Sequence, residues 1–543
     1  MNMRSSTPRL IALWVIAGAL TFVLSCSSVS PPAPGQQTPG DNLSQGTAQP
    51  KYGGVLPLAQ AVGDPPSFDA HQEATLDVVG PTSPTYDRLL QYDIQDETKV
   101  VPDLAERWEW SADGKALTFF LHKGVKFHNG NPFTAEDVKF TLDRLRVPPK
   151  GVSSLRQSLF DPVQDVIVVD PATVKVTVKR PYPALLFVLA GGFMQIYDKE
   201  FVEEKGQDIM KKEVMGTGPF KFTEYIRGVS IEVVKNPDYW KQGKPYLDGI
   251  KYYVIPDEGT RVAALRAGQI LICGGCGAQN VDKVVQEMGG KVQLQTKGGG
   301  GIPHLTLNTA KPPFDNVKVR QAINYAINRT DLSKITLSNV RGTFPDPWGL
   351  PPEELAKMPG YNTDQAANVA KAKQLLAEAG FPDGFATSIE TRQGKSYEDV
   401  GIFVQDALKS IGVTVKLNLL ETSAYFDVSA KGPFNMLYTS PATTFKDPDA
   451  YYAELWICDS VRNYARYCDA ELDALYLKQS STLDVAERKR LVNELERKML
   501  TVSYKVMVGQ NVGRDLIWNS VQNYYAHGVT HNNKKMTEVW LDK

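Results

Sequence analysis

Between Val101 and Arg144 the chain reads VPDLAERWEWSADGKALTFFLHKGVKFHNGNPFTAEDVKFTLDR. This stretch constrains the fold more than any other, because independent local signals follow one another in a fixed order. Leu117, Phe119 and Leu121 recur at a period of two, which predicts a strand with one buried face. Turn-forming residues follow from His128 to Pro132. Thr134 stands three residues before Asp137, the spacing of a capping box, and Val138, Thr141, Leu142 and Leu145 recur behind it at helical period. Strand, turn and capped helix are expected in that order.

The first residues carry an address. Arg4 and Arg9 precede an apolar run, Leu10 to Leu24, which is short for a bilayer span and of the length of a signal-peptide core, so 1–25 is expected to be a signal peptide. Val23-Leu24-Ser25-Cys26 resembles a lipobox, with Cys26 as the lipidation site; a plain secretory signal with Cys26 incidental is the alternative. After Cys26 the chain to residue 50 is rich in Ser, Pro, Gly and Gln and has almost no large apolar side chain, so 26–50 reads as a lipidated cysteine and a disordered tether. Each buried methylene contributes about 0.8 kcal/mol, and two acyl chains give stable anchoring. The expected location is extracytoplasmic, lipid-anchored to the cell membrane, in the periplasm or on the outer face of the cytoplasmic membrane.

The remainder, roughly 490 residues, is too long for one core and suits two lobes. Sixty basic residues against sixty-one acidic leave a net charge of −1 without a basic run, so nucleic acid is not an expected partner. No enzyme constellation is visible. The six histidines form no HExxH pattern, and no GxSxG, Walker A or GxGxxG sequence occurs. Gly216-Thr217-Gly218-Pro219 reads as a turn, because Pro219 lacks a backbone donor. His527 and His531 lie four apart, but Gly528, Val529 and Thr530 favour strand or loop over a shared helix face. No catalytic residue, metal or cofactor is expected.

Elsewhere β and helical patterns alternate. TVKVTVKR (173–180) and GVSIEVVKN (228–236) read as half-buried strands, and TRVAALRAG (260–268) as a short helix stopped by Gly268. After Asp315, Val319, Ala322, Ile323, Ala326 and Ile327 form an apolar helical stripe that leaves Lys318 and Arg320 for the outer face. AANVAKAKQLLAEAGF ends at Gly380, and GIFVQDALKSIG ends at Gly412 before the strand VTVKLNLL. Helix followed by strand, repeated, is an α/β pattern.

The stretch from Val101 to Arg144 resembles the signature of family 5 extracellular solute-binding proteins, the dipeptide, oligopeptide and nickel receptors of ABC importers. GGVLPLAQAVGDPPSFDAHQ (53–72), MGTGPFKFTEY (215–225), NPDYWKQGKPYLDGIKYYVIPDEGTRVAALRAGQI (236–270) and LNTAKPPFDNVKVRQAINYAINR (307–329) resemble family segments in family order. The resemblance implies an α/β, two-lobed periplasmic-binding-protein clamshell of type II, the large cluster C form, with mixed β-sheets flanked by helices. Lobe I is expected at 51–305 plus 510–543, with an inserted subdomain at about 90–215, and lobe II at 306–509. The glycine run at 298–301 falls just before the first crossing, as a hinge-adjacent turn or a plain exposed loop. The implied function is capture of a small-molecule or peptide solute, by a monomer, for an ABC permease and its ATPase. A sensor without transport, or a binder of a metal chelate or oligosaccharide on the same fold, is the alternative.

Four cysteines follow Cys26, and outside the cytoplasm an even set reads first as disulfides. Of the three possible connectivities the two local ones are favoured. Relatives carry a bridge similar to Cys458 with Cys468. For Cys273 with Cys276, a redox motif would open a helix, and zinc would need a second close pair.

The resemblance also nominates a cleft. Gln72, Glu73 and Thr75 match a loop that lines it, Arg392 lies near a position that holds a ligand carboxylate, and Trp348 is placed close by. Thr443 and Thr444 precede Asp447-Pro448-Asp449, and Thr444 stands where the peptide-binding branch keeps an aspartate for the ligand's α-amino group. A hydroxyl cannot balance a buried ammonium. Glu73 is the acid at hand to substitute.

Overall fold

The strand, turn and helix expected between Val101 and Arg144 are present in the computed structural model. It describes residues 49–543 except 61–62, 97–98, 277–280, 299–300, 337, 345–347, 442–444, 446, 511 and 528–534. The strand Ala116–Leu121 buries Leu117, Phe119 and Leu121. It sits in a four-stranded antiparallel sheet, in the order Ala105–Trp110, Ala116–Leu121, Thr173–Val178, Val163–Asp170. The helix Ala135–Arg146 starts where its capping box places it. Glu136 N donates to Thr134 Oγ1 at 3.3 Å, Thr134 N donates to Asp137 Oδ2 at 2.8 Å, and Val138, Thr141, Leu142 and Leu145 are buried.

Seven strands form a mixed sheet in the order Val292–Gly298, Val512–Trp518, Ile272–Gly274, Val55–Gln60, Gly249–Val254, Ser230–Lys235, Phe220–Ile226. Val55–Gln60 runs parallel to both of its neighbours, and the other pairs are antiparallel. A second, five-stranded mixed sheet is ordered Thr414–Leu420, Ala386–Arg392, Met436–Thr439, His304–Leu307, Lys505–Met507. The chain passes between the two sheets twice, from Gly298 to His304 and from Met507 to Val512. The passages meet where Val508 N donates to Pro303 O at 3.1 Å, and the second is further held by a bridge from Gln510 to Asn339. Two glycines of the run at 298–301, residues 299–300, lie outside the described residues.

The helix stops at Gly268, Gly380 and Gly412 hold, each at a positive φ of 70°, 90° and 87° in that order. The Gly216-Thr217-Gly218 turn has a packing reason. A Cβ on Gly216 would meet Thr85 O at 2.1 Å, so only glycine lets these two backbones approach. His531 lies outside the described residues, and among these no group of three or more His, Cys, Asp and Glu is arranged for a metal ion. No helix among them is long and apolar enough to cross a membrane.

One expectation is overturned. Arg320, placed on the outer face of the helix Val317–Ala326, is buried. It donates to Val502 O at 3.0 Å, at the C-terminal end of the helix Val485–Val502 where carbonyls lack intrahelical donors, and to Phe314 O and Asp315 O, just ahead of its own helix, at 2.9 Å each. Lys318 does reach solvent and pairs with Glu378 at 3.0 Å.

Candidate functional site

The loop from Ser67 to Asp77 is pinned from below by buried charges. Arg144, on the capped helix, holds Asp69 with two hydrogen bonds, 3.1 and 2.6 Å, and donates at 3.0 Å to His71 Nδ1. With Nδ1 accepting, Nε2 carries the proton and donates to Gln195 O at 3.0 Å. Burial and the neighbouring Arg144 push His71 down to about 3, so the ring is neutral, and it stacks on Tyr197 with centroids 4.0 Å apart.

This frame fixes three of the nominated residues. Gln72 Nε2 donates to Asp69 Oδ2 at 2.7 Å, and its Oε1 accepts from Ser153 N at 3.2 Å, so both ends of the amide are engaged. Glu73 accepts from Ser67 Oγ at 2.8 Å, burial raises its carboxyl above the usual range, and its backbone carbonyl accepts from Arg156. Thr75 is buried and caps the helix Leu76–Thr82 by accepting from Asp77 N at 3.2 Å.

Arg392 ends a strand of the five-stranded sheet, buried, with its guanidinium over Tyr397 (5.3 Å) and Phe426 (5.9 Å). It donates to Thr422 Oγ1 at 2.9 Å and to Tyr397 OH at 3.4 Å, and its Nη2 lies 3.8 Å from Asp77 Oδ2. Asp77 is tied in turn to the seven-stranded sheet, because Gln60 Nε2 donates to its carbonyl at 3.0 Å. Burial pushes the Asp77 carboxyl up to about 7 against the opposing pull of Arg392. A cation from one sheet system thus faces an acid from the other.

Trp348 goes elsewhere. Its ring lies 4.8 Å from the Arg488 guanidinium and its carbonyl accepts from Asn493 at 2.7 Å. Arg488 holds both acids of Asp447-Pro448-Asp449, with hydrogen bonds of 2.8 and 2.6 Å to Asp447 and 3.4 Å to Asp449. The motif is thereby a buried structural clasp, with Asp447 also capping the helix Pro448–Leu455. Thr443 and Thr444 lie outside the described residues.

Sequence reasoning missed Asp77, Arg156, Glu454 and Arg462. Arg156 is 1% exposed and lies 3.7 Å over the Phe193 ring. Burial pulls it down to about 10, with Glu454 opposing and Arg462 adding to the fall, so these three charges lie within electrostatic reach of one another. Arg462 Nη1 donates to Glu454 Oε2 at 2.5 Å. The Arg462 loop is closed by Cys458 and Cys468, paired with Cα atoms 4.7 Å apart, and Asn463 Nδ2 ties it further by donating to Tyr467 O at 2.8 Å. The other local pair, Cys273 with Cys276, also forms, with Cα atoms 5.5 Å apart, from a strand of the seven-stranded sheet. The position of Arg462 between two cysteines was the one signal that could have drawn attention to it.

Residues 99–463 match the family described as bacterial extracellular solute-binding proteins, family 5 Middle. The glutathione-binding protein GsiB of Salmonella choleraesuis is 30% identical over 463 residues, 83% of this chain and 85% of that protein. Among solved structures, the periplasmic binding protein DppA of Helicobacter pylori, in complex with the peptide STSA, superposes with a TM-score of 0.82 at 28% identity, over 91% of this chain and 99% of that one. AgaA of A. tumefacien R10, in complex with agropinic acid, gives 0.79 at 26% identity, over 90% and 99%.

Proposed function

The chain belongs to family 5 of the bacterial extracellular solute-binding proteins, and from that membership we propose how its two lobes capture a solute for an ABC importer. Residues 51–305 with 510–543 make lobe I, with the subdomain at about 90–215 inserted in it, and residues 306–509 make lobe II. The two chain passages are the hinge. The solute lies between the lobes, and the closed form docks on the permease, whose ATPase drives release and uptake.

The observation that carries this reading is the 3.8 Å approach of Arg392 to Asp77, a contact made between elements of the two sheet systems. Closure needs groups of this kind on both sides, because a solute favours the closed form only by its differential affinity for it. Moving that balance from 1:99 to 99:1 takes roughly 5.5 kcal/mol. Arg392 receives a carboxylate of the solute, and Glu73 and Thr75 border it from lobe I. The solute is a small peptide-like compound, in keeping with the glutathione and peptide named for the relatives. With Thr444 in place of an acid, a free α-amino group is not its main handle. The protein works as a monomer without catalysis, held to the membrane by lipid on Cys26.

A thermal-shift screen of residues 51–543 against di- to hexapeptides, oligosaccharides and metal chelates tests the reading. A solute at 100 times its Kd adds about 2.7 kcal/mol of stability. Stabilisation by peptides, lost in Arg392→Ala, supports it; a sugar or chelate acting alone overturns the peptide-like class. For the anchor, Cys26→Ser should release the protein from the membrane fraction.

A further inference from the structure

Arg156 and Arg462 are two buried guanidiniums, and among the described residues one carboxylate, Glu454, is hydrogen-bonded to one of them, Arg462. Among the described residues, Arg156 donates to the neutral carbonyl of Glu73, its face is covered by Phe193, and its Nε has no partner. Arg462 reaches Glu454 through Nη1, and its Nε is likewise unmatched. Both side chains are nine-tenths or more buried. The neighbourhood already disfavours positive charge: Lys505, buried and held down first by burial and then by Arg462, donates among the described residues to the carbonyl of Leu455. Of the other acids nearby, Asp69 is taken by Arg144, and Glu73, whose charge also reaches Arg156, accepts from Ser67 and is pushed towards its neutral form by burial. Burying a guanidinium without a matched anion costs several kcal/mol, and its planar fork is shaped for a carboxylate.

We infer that the solute brings this anion: a carboxylate, separate from the one held by Arg392, that docks on Arg156 and Arg462, so that the receptor selects an acidic solute over its neutral amide. The inference rests on the solute-capture reading and names the chemistry of the same cleft. Arg156 stems from the turn beside the Gln72 and Glu73 loop, and Arg462 from the disulfide loop of the 306–509 segment. One carboxylate between them would bind both sides and supply the missing charge at once. Glu454 holds the pair together until it arrives.

The test is calorimetry on the intact mature protein with pairs of di- to tetrapeptides that differ only as Glu or Gln, and with citrate as a polycarboxylate that is not a peptide. The Glu member should bind at least about tenfold tighter than its Gln twin, equal to about 1.4 kcal/mol. That gap should shrink to about twofold in Arg462→Gln and in Arg156→Gln, with melting curves confirming that each variant folds. Citrate binding that is lost in the same variants, with both peptides silent, would support the acidic solute from a source other than peptides. Equal binding of the Glu and Gln twins by the unaltered protein overturns the inference while leaving solute capture intact. Silence of every probe overturns both, and the comparison in the unaltered protein needs no substitution at all.

Discussion

Arg392 Nη2 lies 3.8 Å from Asp77 Oδ2, closer than water separation but longer than a hydrogen bond, and neither side chain has a better-placed opposite charge among the contacts described. Burial pushes Asp77 up to about 7, while Arg392 and the hydrogen bond at Thr75 pull it the other way and Asp64 adds to the rise. The carboxyl is therefore more basic in the folded protein than its ordinary value of 3.8. Between these values the folded protein holds a proton that the unfolded chain has lost, so this group's contribution to stability falls as pH rises from about 4 to about 7, then levels.

Asp77→Asn should flatten that segment of the profile. The difference in unfolding free energy between variant and parent is expected to shift in the variant's favour from pH 5 to pH 8, with a ceiling of about 2.7 kcal/mol at about 1.4 kcal/mol per pH unit. Loss of the pairing with Arg392 reduces the gain. Parallel slopes for the two proteins across pH 5 to 8 would show that Asp77 stays ionised throughout.

The Cys458 to Cys468 bridge closes a short loop that carries Arg462 and Asn463. Cys458→Ser with Cys468→Ser should lower unfolding free energy by about 2–3 kcal/mol on the loop-entropy account. Solute affinity should fall with it, since the loop that aims Arg462 at Glu454 is released. Urea unfolding and calorimetry on the same preparation separate the two effects.

What the sequence disclosed and what it hid divide along the range of the interactions. Thr134 and Asp137 announced their helix because a capping box is written within four residues. Arg320 was misplaced because an amphipathic pattern registers polarity and not destination; one of its carbonyl partners, Val502, is 182 residues away. Arg392 was nominated by resemblance and does reach the interface between the sheet systems, whereas Trp348 packs on the Asp447 clasp. Arg156 sits in no motif. Its significance comes from charges brought to it by tertiary structure, Glu454 and Arg462, which no local spacing encodes.

Arg488→Met should be costly in a pH-dependent way. It would strand Asp447 and Asp449, and burial with the neighbouring Asp447 already pushes Asp449 up to about 6. Removing one partner of a buried pair typically costs about 3–5 kcal/mol. The loss should be larger at pH 8 than at pH 5, because the stranded acids can take up protons at the lower pH. Denaturation midpoints at the two pH values decide it; an equal loss at both would mean that the carboxylates find other partners.

Glu496 offers a sharper dissection, because one buried carboxylate organises a whole turn. Its Oε1 accepts from Thr343 N and, at 2.9 Å, from Phe344 N, while Oε2 accepts from Leu350 N at 2.6 Å. Burial still pushes the carboxyl up to about 7 against these three bonds. The turn includes Trp348, which rests on Arg488 of the same helix, Val485–Val502. In Glu496→Gln the amide oxygen can keep either Leu350 or the Thr343 and Phe344 pair, and its NH2 would confront the N–H groups on the other side, at a cost of about 1–3 kcal/mol. Glu496→Ala should cost more, since all three donors lose their acceptor. Hydrogen exchange reads the mechanism directly: faster exchange confined to Leu350 or to the Thr343 and Phe344 pair is expected for Gln, according to the orientation of the amide, and at all three for Ala. Unchanged protection in both variants would mean that the turn is held by its packing and that the carboxylate is incidental to it.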